Sequence, residues 1–453
     1  MRCIVVVFNR DLRVRDHPAL HEAVRQADTV IPLFVLDDDV LAGTHQAPNR
    51  LSFLLDGLNE LREALRARHG DLVVARGDTV ATTMRLARDH DADGVFVSAD
   101  VSRYALRRER ELASACADQR LGFAAHPGVT VVPAGALRPV GGDHYRVFTP
   151  YWRAWTQAQR RRVLPPPGKV SLPADVDAGS IPRLHDLTDA RCSPQLPIGG
   201  EVAGRRLLRS WGSAGVAAYG DRHDDMAGDA TSRISPYLHF GFVSPLEIAS
   251  RFDDRIGAGS FLRQLCWRDF HHQVTAAFGP IASEEYRPRG DRWRTNEEDF
   301  EAWTQGRTGY PIVDAGMRQL RHEGWMHNRA RLITASFLAK HLYIDWRWGA
   351  AHFLDWLVDG DIANNSGNWQ WVTGTGNDSR PHRMFNPLRQ ADRFDPAGDY
   401  VRRYVPELAG IAGGAVHRPW DLDPTDRARL DYPEPIIEHG DALQRFRESR
   451  PRS

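Results

Sequence analysis

Cysteine is scarce and scattered. The 453-residue chain has four, Cys3, Cys116, Cys192 and Cys266, and no two form a CxxC pair. A disulfide framework and a cysteine zinc site therefore lack support, and the pattern suits a reducing, cytoplasmic setting. An excess of either charge is missing too: Lys+Arg and Asp+Glu both number 59, for a formal net charge of zero. Nothing global calls for a polyanionic partner, so nucleic-acid binding would fall to a local basic patch. No apolar run is long enough to cross a membrane, and the opening MRCIVVVF lacks a basic leader and a cleavage site. No GxGxxG follows the first strand pattern, and GxxxxGK[ST] and GxSxG are absent, so nicotinamide-dinucleotide binding, nucleotide hydrolysis and serine esterase chemistry lack support. HExxH is absent as well. No acid or cysteine stands at ligand spacing from His271 and His272, or from His322 and His327, so no metal is expected. There is no internal repeat and no low-complexity tract.

What is present begins with short apolar runs. Residues 2–8, 30–35, 72–75, 94–97 and 129–132 read as buried strands, and helical patterns over 18–27, 51–68, 79–89 and 104–120 separate them. Strands alternating with helices of this length predict a doubly wound α/β domain with a parallel sheet, over residues 1–133. Such sheets bind ligands beyond their strand C-termini. There the sequence has FNRDLRVRDHPAL, whose Arg10, Arg13 and Arg15 either hold an anion or pair with Asp11 and Asp16; the sequence favours pairing.

Residues 134–200 read as a long surface linker with a Pro165–Pro166–Pro167–Gly168 run, preceded by a helical piece containing Tyr151, Trp152 and Trp155. From residue 201 to the end the pattern is helix and loop. Helices are predicted over 202–219, 245–255, 261–278, 312–323, 328–341 and 350–358, with proline-rich and charged segments closing the chain. The fold class is thus α/β plus all-α.

Most of the 13 tryptophans lie after residue 266. The densest stretch, residues 355–371, DWLVDGDIANNSGNWQW, opens apolar and ends polar. Asp359, Gly360 and Asp361 form a loop that backbone can approach closely, and Asn364, Asn365, Trp369 and Trp371 follow. Asparagine donates and accepts hydrogen bonds and indole offers a flat face, a set that suits a planar, polar-edged heterocycle. A capped turn between two helices with aromatic packing explains the stretch equally well. Thr231, Ser232, Arg233, Ile234 and Ser235 precede Pro236; clustered hydroxyls there cap a helix or bind phosphate, and capping is the commoner use. In FLRQLCWRDF, Gln264, Trp267, Arg268 and His271 share one helical face, an odd way to build core, with a surface helix as the plain alternative. Arg329 and Arg331 stand where they could meet Asp359 or Asp361, a pairing that needs further hydrogen bonds if buried.

With these pieces in place, the chain resembles the DNA photolyase/cryptochrome family, most of all the microbial members that split cyclobutane pyrimidine dimers. The matching stretches are FNRDLRVRDHPAL, TSRISPYL, LCWRDF, GRTGYPIVDAGMRQL, GWMHNRARLITASFLAKHLYIDWR, DGDIANNSGNWQW and FNPLRQADRFDP, in family order over nearly the whole length. The resemblance implies an antenna domain over 1–133, a linker over 134–200, and a helical FAD- and DNA-binding domain over 201–453. It implies that Tyr219, Thr231, Ser232, Arg233, Ile234 and Ser235 hold the FAD phosphates. Gln264, Arg268, His271, Trp325, Asn328, Arg331, Asp359, Gly360 and Asp361 would line the rest of the cofactor pocket, and Asn365 would face the flavin N5. Trp369, Trp346 and Trp293 match an electron-carrying tryptophan series. Trp267 and Trp371 match the walls that hold a flipped-out dimer, with Leu332 touching the lesion, and Arg222, Arg329 and Arg383 match DNA-phosphate contacts.

The implied reaction is blue-light-driven electron transfer from excited FADH⁻ to a dimer in single- or double-stranded DNA, by a cytoplasmic monomer. Two departures from the family pattern stand out. Gln264 replaces the usual glutamate, so it donates a hydrogen bond but releases no proton. Leu332 replaces a methionine. Gln264 also occurs in (6-4) photolyases and in animal cryptochromes. The (6-4) enzymes need a histidine pair where this chain has Asn328 and Leu332, which leaves a cryptochrome-like photoreceptor as the second reading. For a second chromophore, the folate-binding Asn-Glu pair is replaced by Arg103-Tyr104-Ala105, and Asp100 with DVSRYALRRER resembles members that bind 8-hydroxy-5-deazaflavin.

Overall fold

Cys3–Phe8 is buried along its whole length, which only a strand covered on both faces requires. In the computed structural model, which describes residues 1–43, 47–253 and 257–450, this strand is the centre of a parallel sheet. Strands β1 Cys3–Phe8, β2 Thr29–Asp37, β3 Val73–Gly77, β4 Gly94–Ser98 and β5 Gly122–His126 alternate with helices. These are α1 Pro18–Gln26, the short α2 Asp38–Leu41, α3 Pro48–Arg66, α4 Thr79–Asp89 and α5 Arg103–Asp118. Sheet order is β3-β2-β1-β4-β5, every pair parallel, so the order reverses between β1 and β4. Side chains start the helices where the sequence offers an acceptor: Asp78 accepts from the Ala81 amide and Ser102 from the Ala105 amide.

The chain continues as α6 Phe148–Gln157, α7 Glu201–Arg222, α8 Ser235–His239, α9 Pro245–Phe252 and α10 Gly259–Ala277. It ends with α11 Glu297–Gln305, α12 Pro311–Glu323, α13 Asn328–Ser336, α14 Trp346–Trp356, α15 Ile362–Thr373, α16 Pro387–Phe394, α17 Asp399–Tyr404, α18 Pro424–Arg427 and α19 His439–Ser449. Contacts divide it into two compact units: Met1–Arg191 with Pro197–Ala217 and Ser232–Pro280, and Cys192–Leu196 with Ala218–Thr231 and Ile281–Ser453. The second unit has its own core, in which Trp303, Met317, Phe337, Trp346 and Trp369 are buried. Among the described residues no helix is long and apolar enough to cross a membrane.

Three expectations change. The fifth strand is Gly122–His126, not residues 129–132. Val129, Val131 and Val132 are buried because that segment packs on α10: the Val129 carbonyl accepts from Arg268, and the Val132 amide donates to Asp269. The true edge strand, GFAAH, is half exposed and has too weak an apolar pattern to stand out. The helix expected over 328–341 ends as α13 at Ser336 and passes into a π-helical turn, Phe337–Leu342, after which Tyr343 is left-handed at φ 58°. The proline-rich closing stretch carries α16 to α19. Of the helix expected over 245–255, residues 254 and 255 lie outside the described residues.

The arginine-rich loop after β1 settles into pairing, but the carboxylates that Arg10 and Arg15 meet are Asp100 and Glu247, not the expected Asp11 and Asp16, which pair with His17 and Arg161. Arg13, 1% exposed, donates to the carbonyls of Asp16, Gly128 and Gly241. Arg10 meets Asp100 at 3.2 Å, and Arg15 meets Glu247 at 3.0 Å.

Asp269, 1% exposed on α10, accepts from Trp155 Nε1 at 2.9 Å and from the Val132 amide at 3.0 Å. Burial pushes its pKa up to about 6, against the favourable Arg268 charge. Because the folded state holds this proton more tightly, stability falls as pH rises from about 4 to about 6 and levels above that. Asp269→Asn should keep the acceptor and flatten that slope in urea titrations. Asp269→Ala, which strands both donors, should cost about 2–4 kcal/mol.

Candidate flavin and DNA site

In the first unit the polar and aromatic stripe of α10 is real. Phe261, Leu262, Leu265, Cys266, Asp269 and Phe270 are buried, while Gln264 is exposed and Trp267 and Arg268 are partly so. His271, read on the same face, is buried. Trp267 lies flat on Phe148 of α6, with ring centroids 3.7 Å apart and planes within 1°. Arg263 sits over the same Phe148 ring at 4.9 Å. One face of the Trp267 indole is thus braced. Arg268 is turned inward, donating to the Val129 carbonyl at 2.6 Å. Phe148 was invisible to motif reading because it falls in the stretch read as linker; the aromatic density of FTPYWRAW is the signal that could have found it.

Also in this unit, a cavity of about 190 Å³ opens at the C-terminal ends of β2 and β3, lined by Asp37, Asp78, Thr79, Tyr104, Arg107 and Arg108 among others. Tyr104 lies under both arginines, whose guanidinium carbons are 5.6 and 5.2 Å from its ring. Burial, and then its hydrogen bond to Asp37, push the Tyr104 phenol up to about 12.

In the hydroxyl-rich segment, Ser232, Ile234 and Ser235 lead into α8, and Arg233 is left-handed at φ 48°. The Ser232 hydroxyl accepts from the Ile234 amide at 3.4 Å. Thr231 Oγ1 is enclosed and has no hydrogen-bond partner among the described residues. Tyr219 stacks with His223 at 5.1 Å.

In the second unit the densest stretch becomes a turn followed by a helix. Asp361 caps α15, accepting from the amide and side chain of Asn364 at 2.8 and 2.7 Å. Asp359 pairs with Arg331 at 2.8 Å, and Arg331 also donates to the Met326 carbonyl at 2.9 Å. Of the two arginines expected to meet these acids, only Arg331 does so. Arg329 forms a bidentate pair with Asp224, both contacts 2.7 Å, and lies 4.1 Å over Phe394. Asn328 opens α13, with His327 as its cap, and Trp325 and Asn365 are buried; the Asn365 amide donates to the Ala350 carbonyl at 2.9 Å. Leu332 and Trp371 are partly buried against the core, and Arg383 stacks over Trp371 at 4.8 Å and over Phe385 at 4.9 Å. Arg222 is exposed and pairs loosely with Asp225 at 3.4 Å.

Of the three tryptophans matched to the electron path, Trp369 and Trp346 are buried and Trp293 is partly exposed. Trp369 packs on the backbone of Gly349, where an added Cβ would come within 2.2 Å of its ring. Sequence gave no hint of Asp224 as the partner of Arg329, or of Lys340, which is buried in the π-helical turn and donates to the carbonyls of Pro381 and Arg383 at 3.1 and 2.5 Å. Burial, then the nearby Arg450, push the Lys340 ammonium down to about 7.

This architecture is a parallel-sheet domain followed by a helical one. Residues 4–170 match the family model for DNA photolyase, and residues 261–450 match the FAD binding domain of DNA photolyase. A deoxyribodipyrimidine photo-lyase of Streptomyces griseus is 50% identical over 99% of both chains. Among solved structures, a bacterial class III photolyase from Agrobacterium tumefaciens has TM-score 0.91 and 33% identity, covering 99% of this chain and 97% of that one. A Synechocystis cryptochrome has TM-score 0.92 and 28% identity, covering 99% of both chains. The chain belongs to the DNA photolyase family.

The residues present fit FAD. The enclosed, unpartnered Thr231 hydroxyl is a donor suited to a phosphate oxygen.

Gly349→Ala should displace the Trp369 indole. The expected outcome is a loss of about 1–3 kcal/mol in stability, with a shift in tryptophan fluorescence.

Proposed function

We propose that this protein is an enzyme that repairs cyclobutane pyrimidine dimers in single- or double-stranded DNA under blue light. The observation that carries this reading is the stripe of α10, where Gln264 is exposed and Trp267 partly so beside the buried Leu265 and Cys266, and Phe148 braces the indole. A dimer rotated out of the helix needs such a rigid stacking wall. Supporting it are the full-length similarity to a protein named deoxyribodipyrimidine photo-lyase and the second partly exposed indole, Trp371.

In this reading Tyr219, Thr231, Ser232, Arg233, Ile234 and Ser235 hold the phosphates of FAD. Gln264, Arg268, His271, Trp325, Asn328, Arg331, Asp359, Gly360, Asp361 and Asn365 line the rest of its pocket. Bound FAD supplies light-driven one-electron chemistry. Trp369, Trp346 and Trp293 carry an electron inward from the surface. Trp267 and Trp371 stack the dimer beside Leu332, and the Gln264 amide donates a hydrogen bond to it without giving up a proton. Arg222 and Arg383 meet DNA phosphates, while Arg329 does so only by releasing Asp224. The functional division falls at residues 133 and 200, the first domain holding a second, deazaflavin-like chromophore near Asp100 and Tyr104. We place the protein in the cytoplasm as a monomer.

A photoreceptor without repair activity is the second reading, and Gln264 is the residue that favours it. The test is loss of a thymine dimer from oligonucleotides incubated with flavin-reduced protein, light against dark. Light-dependent loss is expected, and a Gln264→Glu variant should repair faster, by about tenfold if a proton donor contributes. Normal flavin photoreduction with neither dimer binding nor repair would select the photoreceptor.

A further inference from the structure

Of the three arginines matched to DNA phosphates, only Arg383 is left without a carboxylate among the described residues. Arg222 meets Asp225 and Arg329 meets Asp224. The exposed Arg383 guanidinium instead lies over the rings of Trp371 and Phe385. Stacking occupies its faces and leaves the N–H groups on its edge for a phosphate. Where those groups point is set by the two rings and by the backbone that carries the side chain.

That backbone belongs to residues 374–386, the loop between α15 and α16. The loop doubles back on the end of α15. Gly374 is left-handed at φ 82°, and a Cβ there would come within 2.4 Å of the Pro381 carbonyl oxygen. The Arg383 amide closes a turn on the Arg380 carbonyl at 3.0 Å. Side chains from α13 and the π-helical turn after it fasten the rest. Ser336 Oγ accepts from the Phe385 amide at 3.3 Å, and Lys340 Nζ donates to the Arg383 carbonyl at 2.5 Å and to that of Pro381 at 3.1 Å.

Lys340 is 1% exposed, and a buried ammonium is costly unless its partners are fixed. Its grip on Pro381 is shared, because Arg450 donates to the same carbonyl at 2.9 Å. Its grip on Arg383 is not: Lys340 is the side chain that holds that carbonyl. Apolar side chains often replace buried charges without loss of stability, so packing alone does not call for an ammonium here. Single π-helical turns recur at functional positions, and this one delivers Lys340 beneath the loop.

We propose that Lys340 is a positioning residue for DNA binding, fixing the Arg383 backbone so that the guanidinium is already set over Trp371 when a phosphate arrives. The proposal rests on reading Arg383 as a phosphate contact. A side chain held in its bound arrangement loses less freedom on association, so Lys340 acts on affinity and not on the chemistry that follows.

The experiment uses the full chain loaded with FAD and measures binding of a thymine-dimer oligonucleotide in the dark, over a range of salt concentrations. Arg383→Ala should weaken binding by about tenfold and lower the salt slope by about one. Lys340→Met should weaken binding by about fivefold and move the slope the same way, with flavin photoreduction unchanged. Because Lys340 acts through Arg383, the double variant should bind as Arg383→Ala does alone. Lys340→Gln keeps an amide donor for the carbonyl and should recover part of the loss; it carries the same double-variant comparison if Lys340→Met does not fold. Losses that add in the double variant, or affinity unaltered by removal of the ammonium, overturn the assignment while Arg383 remains a phosphate contact. Affinity and slope unaltered in Arg383→Ala overturn the phosphate reading and the proposal with it.

Discussion

Charge withdrawn from water has to be met by fixed partners, and in this chain that constraint places the chemistry. Arg331 and Asp359 illustrate it: the carboxylate side chain is 4% exposed, and the guanidinium is satisfied by it and by a backbone carbonyl. Neither group can turn elsewhere without stranding the other, so the turn before α15 is held while Asp361 caps the helix. Asp269 does the same for α10, fastening the helix that carries Gln264 and Trp267 to Trp155 and to the segment around Val132. Arg13 braces its own loop at the Asp16 carbonyl and ties it to two carbonyls from separate parts of the first unit, those of Gly128 and Gly241.

Aromatic contact is the second organising feature, and it depends on what lies beneath each ring. Trp267 is flat on Phe148, and Trp369 is flush with Gly349, where any side chain would collide. Indoles fixed this way have little side-chain freedom left to lose when another group packs on them. Trp371, by contrast, is covered by the guanidinium of Arg383, whose carbonyl Lys340 holds. The Trp371 indole and the basic residue over it are therefore one assembly.

The second unit concentrates polar groups where α14 and α19 approach the residues that follow α10. Asp291, Arg450 and the neighbouring Lys340 and Tyr343 come from three places in sequence and share the carbonyl of Pro381 or the carboxylate of Asp291. A π-helical turn and a left-handed Tyr343 are what bring two of them to the cluster.

Sequence by itself determined the alternation of β1 to β4 with their helices, because buried parallel strands must be continuously apolar and their helices amphipathic. It singled out the stripe of α10 and the stretch from Asp359 to Trp371 but left a surface helix and a capped turn with aromatic packing open as alternatives, and in the structure Asp361 caps α15 while Trp369 packs in the core. The long motifs in family order carried the identification, as FAD and DNA photolyase. Only the tertiary structure decided that Val129 to Val132 pack on a helix instead of pairing as a strand, because burial looks the same in sequence whatever covers it. It alone decided that Arg329 meets Asp224 and not Asp359, that Phe148 braces Trp267, and that Tyr343 reaches Asp291. Each joins residues tens of positions apart, or more than a hundred, and distance along the chain gives no measure of which charges and rings meet once the core has closed.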